Sequence, residues 1–166
     1  MKKILSVVVI FVLFLGCGYQ PASKQARKVV GDKLFVEVHV SLQDPENAVI
    51  IKDAARLAVI NRFHAALVPQ VEAETTLWLE LSNIGFTPLQ YDQNGYVIVF
   101  RANISIEVTR RTKDEKKIYH AKGNYDFTIE PNAIITDSQR FDAIKNASLK
   151  ALDSFVAQVG AEGSRL

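Results

Sequence analysis

The side chains of this sequence that could define a chemistry are Cys17, three histidines, and a cluster of Lys and Arg between positions 110 and 117. Imidazoles bind metal or move protons when they are paired at helical spacing or set beside carboxylates. His39, His64 and His120 offer no i, i+4 pair and no His-Glu-x-x-His, and they read as surface residues on two strands and near a helix end. Asp92-Gln93-Asn94-Gly95 faintly resembles a calcium loop, but the full spacing and the closing Glu are missing, and an Asn-Gly turn accounts for it. Neither a Gly-rich phosphate loop nor a Gly-x-Ser-x-Gly elbow occurs. Asn103-Ile104-Ser105 and Asn146-Ala147-Ser148 match the glycosylation sequon, a motif short enough to arise by chance. The expectation is a protein that is not an enzyme, with no metal site and no cofactor.

Cys17 is the only cysteine, which excludes an intrachain disulfide and a cysteine-rich zinc site. Ahead of it stand Met1-Lys2-Lys3 and then Ile4 to Leu15, apolar apart from Ser6. A spanning helix needs about 20 apolar residues, so this run is too short and reads as a signal peptide over residues 1–16. Leu15-Gly16-Cys17 resembles a bacterial lipobox, in which the thiol takes a diacylglycerol, although Phe14 is bulky for its position. The alternative is a free thiol in a secreted protein, an odd residue to leave unpaired in an oxidising compartment. Thioether lipidation removes the oddity, and two or three acyl chains anchor stably where one does not. Gly18, not an aspartate, follows; by resemblance to lipoprotein sorting rules, that implies the outer membrane with the anchor on its periplasmic side.

The whole chain has 20 basic and 18 acidic side chains, a net +2, but the leader holds two of the lysines. From Cys17 onward the net charge is zero, which gives no push toward nucleic acid. Residues 101–122 nevertheless carry seven bases against three acids, so a +4 segment is balanced by −4 elsewhere. Five of the bases, Arg110, Arg111, Lys113, Lys116 and Lys117, crowd a hairpin tip. Two readings stand side by side. Either they are a solvated turn that guards strand ends, or they meet the phosphates of a phosphorylated glycolipid.

These residues need elements to hold them, and 166 residues at 48% apolar provide one domain. Residues 17–32 read as the lipidated N-terminus and a tether, 33–160 as the domain, and 161–166 as a tail. Lys33 to Leu42 alternates Leu34, Val36, Val38 and Val40 with polar neighbours, the period of a strand. Asp44-Pro45 starts a helix with Ile50, Ala54, Leu57, Phe63 and Leu67 as its stripe, ending at Val68-Pro69. Thr76 to Phe86 is a second strand whose parity changes between Leu81 and Ile84, which predicts a bulge near Ser82-Asn83.

Tyr96 to Thr112 and a strand lined by Tyr119, Ala121, Gly123, Tyr125, Phe127 and Ile129 form a long hairpin. At ~3.3 Å per residue, its first strand would reach about 55 Å and carry its tip past the helices. Asp137 caps a last helix with Phe141, Ile144, Ser148, Leu152, Phe155 and Val159 inward and Gly160 as its stop. The order β-α-β-β-β-α predicts an α+β fold. It is a two-layer sandwich in which two helices cover one face of a four-stranded, mostly antiparallel sheet. The other face, with Trp78, Glu80, Ser82, Arg101, Asn103, Ser105, Glu107, Lys122, Asn124 and Asp126, is left to water or a polar partner.

Cys17-Gly18-Tyr19 directly after the lipobox, the element order, the run Ser82 to Phe86 with Gln90 to Tyr96, and Gly123 to Phe127 together resemble the lipopolysaccharide-assembly lipoprotein family LptE, in its ε-proteobacterial form. The resemblance spans nearly all of the chain after the leader. The stretch from Tyr19 departs from better-known members, which tend to have His-Leu-Arg there. The resemblance implies a non-enzymatic outer-membrane lipoprotein that plugs and helps assemble the β-barrel translocon LptD and contacts lipopolysaccharide. The rival reading is a lipoprotein that activates a peptidoglycan synthase, which would call for a longer tether than about 15 residues. A further alternative is an outer-membrane lipoprotein with another binding role.

Overall fold

The computed structural model describes residues 22–39 and 45–165. Its elements run α1 (Ala22–Val30), β1 (Lys33–His39), α2 (Pro45–Ala58), β2 (Ala66–Leu67), β3 (Thr75–Tyr91), β4 (Val97–Arg111), β5 (Lys116–Thr128) and α3 (Asp137–Gly163). A π turn, Val59–Phe63, prolongs α2, and Gln70–Glu72 is a single 3-10 turn. The leader, Cys17, Val40 to Leu42 and the Asp44 cap lie outside the described residues.

The sheet is mixed and five-stranded, in the order β2-β1-β3-β4-β5, where the sequence predicts four mostly antiparallel strands. β1 runs parallel to both β2 and β3, because the chain leaves it through α2 and a crossover helix returns the chain in the same direction. The β3–β4–β5 part is an antiparallel meander. The register slips between Leu81 and Asn83, where parity placed the bulge, and Ser82 Oγ donates to the Ser105 carbonyl there. The slip keeps Leu77, Leu79, Leu81, Ile84 and Phe86 on the core side of one strand.

Among the described residues three helices, not two, cover one face. Leu34, Val36, Leu77, Leu79, Ala102, Ile104, Ile106, Val108, Tyr119 and Ala121 face Ile144, Ala147, Ala151, Leu152, Phe155 and Val159 of α3. The Phe155 ring meets Phe63 and Tyr119 edge-on, at centroid distances of 5.8 and 5.3 Å. Burying a ring of this size contributes up to about 3 kcal/mol. Gly123 lets α3 press on β5: a Cβ there would collide with the Ala147 carbonyl and the Ala151 nitrogen.

The extra helix is α1, within the stretch read as tether. Ala26, Val29 and Val30 enter the core, and α1 packs along α3. Gly31 closes it in the left-handed region at φ +79°, its N–H donating to the Arg27 carbonyl at 2.9 Å. α2 is rotated from the predicted stripe: Ile51, Ala54, Ala55, Val59 and Phe63 are inside while Leu57 is half exposed. α3 is capped by Thr136, one residue before Asp137, in a reciprocal box with Gln139. It also runs past Gly160, a buried position, to Gly163, so the predicted stop and part of the predicted tail are helix.

Candidate functional site

The basic hairpin tip does not stand clear of the helices. Residues 112–115 close β4 to β5, with Thr112 N–H donating to the Glu115 carbonyl at 2.9 Å. The ends of α1 and α3 back this turn. Arg110 is 3% exposed. Its Nη1 donates to the Val29 carbonyl at 2.9 Å, and its Nη2 reaches Glu115 Oε2 at 2.6 Å and Glu162 Oε1 at 3.0 Å. Lys117 Nζ and the Tyr119 hydroxyl both donate to Glu162 Oε2 at 2.7 Å.

Burial works against the Glu162 carboxylate, but hydrogen bonds from Lys117 and Tyr119 and the charges of Arg110 and Lys117 outweigh it and hold its carboxyl below the ordinary value. Burial, then the bond to Glu162, pushes the Tyr119 phenol well above its ordinary value. Arg111 lies over the Trp78 ring, 5.1 Å from its centroid. Of the five predicted bases, Arg110 and Lys117 therefore hold the fold together, while Arg111, Lys113 and Lys116 are exposed and in no ion pair, Arg111 with its guanidinium over Trp78. The sequence signal that could have separated them is parity, since Arg110 falls on the core side with Ile106 and Val108.

The second surface is the sheet face without helices. Rows of side chains cross it in register: Glu37–Trp78–Thr109–Ile118, His39–Glu80–Glu107–His120, Asn83–Ser105–Lys122 and Thr87–Arg101–Asp126. Trp78 Nε1 donates to Glu37 Oε2 at 2.8 Å, Arg101 grips Asp126 at 2.6 and 2.8 Å, and Asn103 Nδ2 donates to Thr87 Oγ1 at 3.1 Å. The Arg101 hydrogen bond holds the Asp126 carboxyl below the usual range. Ties of this kind fix the side chains in place and leave a flat polar surface.

His39 and His120 share one row with two glutamates, but only His120 Nδ1 and Glu107 Oε2 approach, at 3.6 Å. Among the described residues no three His, Cys, Asp or Glu are gathered as a metal would require. At the opposite end from the basic turn, Asp92 Oδ1 accepts the Asn94 and Tyr96 N–H groups at 2.9 and 2.8 Å, and Gly95 takes φ +85°. That is the turn chemistry read from Asp92 to Gly95. A shallow apolar groove of about 240 Å³ runs between α2 and α3, lined by Leu57, Phe141 and Leu149 with Asp53 and Lys145 at its rim. Among the described residues no helix is long and apolar enough to cross a membrane.

A family model described as LptE, lipopolysaccharide-assembly, matches residues 35–159. No curated protein matches the sequence. Rare lipoprotein B from Shewanella oneidensis is similar in structure, with a TM-score of 0.51 at 16% identity over 80% of this chain and 96% of that one. A lipoprotein from Caulobacter crescentus gives 0.54 at 7% identity over 86% and 98% of the two chains. Lipoprotein B from Nitrosomonas europaea gives 0.54 at 13% over 80% and 84%. At such identities the likeness is one of fold.

Proposed function

The chain belongs to the LptE lipopolysaccharide-assembly family, and from that membership we propose that it is an outer-membrane lipoprotein, anchored through Cys17, that plugs and helps assemble an LptD-type β-barrel and contacts lipopolysaccharide. The observation that carries the reading is the extent of the match, 35–159, which takes in every element from β1 into the last turns of α3. The bare sheet face supports it: a barrel lumen is aqueous and polar, and this face offers a broad, pre-ordered polar surface. Contact with lipid phosphate at the basic turn falls to Arg111, Lys113 and Lys116, since Arg110 and Lys117 are engaged inside the protein. The reading assigns no catalytic step to any residue.

Affinity purification of the tagged lipoprotein from detergent-solubilised outer membrane tests the partnership. A large β-barrel recovered in near-equal amount is the expected result. Recovery of a peptidoglycan synthase, or of no partner, would overturn it.

A further inference from the structure

The basic turn is one part of a larger cationic end. β1 begins there, since Glu74 N–H donates to the Lys33 carbonyl at 3.0 Å, and α1 ends there, its Val29 carbonyl bound by Arg110. α3 finishes alongside, with Gly163 against the Gln25 backbone. Within this end the pairs Arg27–Asp32, Arg110–Glu115 and Lys117–Glu162 cancel internally. Among the described residues Lys24, Lys28, Lys33, Arg111, Lys113, Lys116 and Arg165 remain, all exposed and in no ion pair, against the acids Glu72, Glu74 and Asp114, which are in none either. The far end has the opposite character, with Asp92, Glu130, Asp137 and Asp142 against Arg140.

The chain outside the described residues decides what this end faces. Cys17 stands five positions before Ala22, the first residue of α1. Five residues span at most about 18 Å, so an acyl anchor on Cys17 holds the start of α1 within that distance of the leaflet it enters. An unpaired cationic surface so held is presented to the headgroup layer at high effective concentration. Anionic headgroups attract lysines over roughly a Debye length, about 8–10 Å at moderate salt.

We propose that this end of the molecule docks on anionic phospholipid headgroups of the leaflet that holds its own anchor, fixing the domain upright rather than leaving it to swing on the tether. The inference rests on the Cys17 anchoring of the previous subsection and adds a membrane-facing surface to it. The source of phosphate is phospholipid, because that is the headgroup surrounding the anchor.

The test uses the full lipidated chain in vesicles of phosphatidylcholine, of phosphatidylcholine with phosphatidylglycerol, and of phosphatidylcholine with lipopolysaccharide. Amine acetylation followed by mass spectrometry reads each lysine. With phosphatidylglycerol, Lys24, Lys28, Lys33, Lys113 and Lys116 are expected to react at least about threefold more slowly relative to Lys52 and Lys145, and to recover in ~1 M salt. In the variant combining Lys24→Gln, Lys28→Gln, Lys113→Gln and Lys116→Gln, which touches no internal pair, Lys33 should lose its protection. Equal rates with and without phosphatidylglycerol, or protection by lipopolysaccharide alone, overturn the proposal. The anchoring itself is judged separately, by the acyl mass on Cys17 and by flotation with phosphatidylcholine vesicles.

Discussion

Arg110 and Glu162 illustrate how a buried ion pair in a lipoprotein domain differs from a surface one. Arg110 ties the Val29 carbonyl of α1, the β4–β5 turn and the end of α3 to a single guanidinium. Arg110→Met removes that donor, exposes the Val29 carbonyl to an apolar neighbour and leaves Glu162 with fewer partners. The expected loss is ~3 kcal/mol of unfolding free energy in urea titration, whereas Lys113→Gln should stay within about 0.5 kcal/mol.

The same cluster shapes the pH profile. Glu162 has its carboxyl lowered, so its contribution is present above the ordinary value of 4.5 and is lost as pH falls through the folded value. Tyr119 has its phenol raised, so its contribution is present below 10.0 and is lost as pH rises through the folded value. This cluster should therefore add to the fall of melting temperature on the acid side through Glu162 and on the alkaline side through Tyr119. Glu162→Gln should make the acid limb shallower, and Tyr119→Phe the alkaline limb.

At the scale of elements, Gly123 sets how closely α3 can approach β5. Gly123→Ala should cost about 1–3 kcal/mol, since the new methyl meets helix backbone, which cannot rotate away as a side chain does. Thermal melts of the pair would show it. The parts of the fold with a strict period were legible from residues alone: the β3 bulge from the parity change at Ser82-Asn83, the Asp92–Gly95 turn, and the α3 stripe from Ile144 to Val159. The missed parts lack such a period. β2 has two residues, too few to alternate. α1 has only Ala26, Val29 and Val30 to mark its inner face, and the polar residues around them read as linker. α2 carries apolar residues at both Leu57 and Ile51, so composition could not choose the face. Packing chose it.

For the molecule as a whole, the candidate surface was legible and its chemistry only partly so. Strand parity gave the bare polar face residue by residue, but the tip bases were counted as one cluster although two of them belong to the interior. If the bare face meets the barrel, Ser105→Trp should lower barrel recovery by about tenfold with an unchanged melting temperature, because Ser105 lies mid-face and its side chain holds nothing in place. Co-purification measured beside a melting curve separates lost docking from lost folding.

The seating of α1 against the final turn of α3 also bears on the order of events as the chain is made. Residues near 25 are synthesised well before the surface that receives them, around Gly163 at the end of α3. α1 must wait, with Ala26, Val29 and Val30 uncovered, until almost the entire domain has emerged. A nascent chain stalled before Glu162 would have neither the groove for α1 nor the carboxylate that partners Arg110, Lys117 and Tyr119. Docking of α1 thus reports that the last turns of α3 have been made.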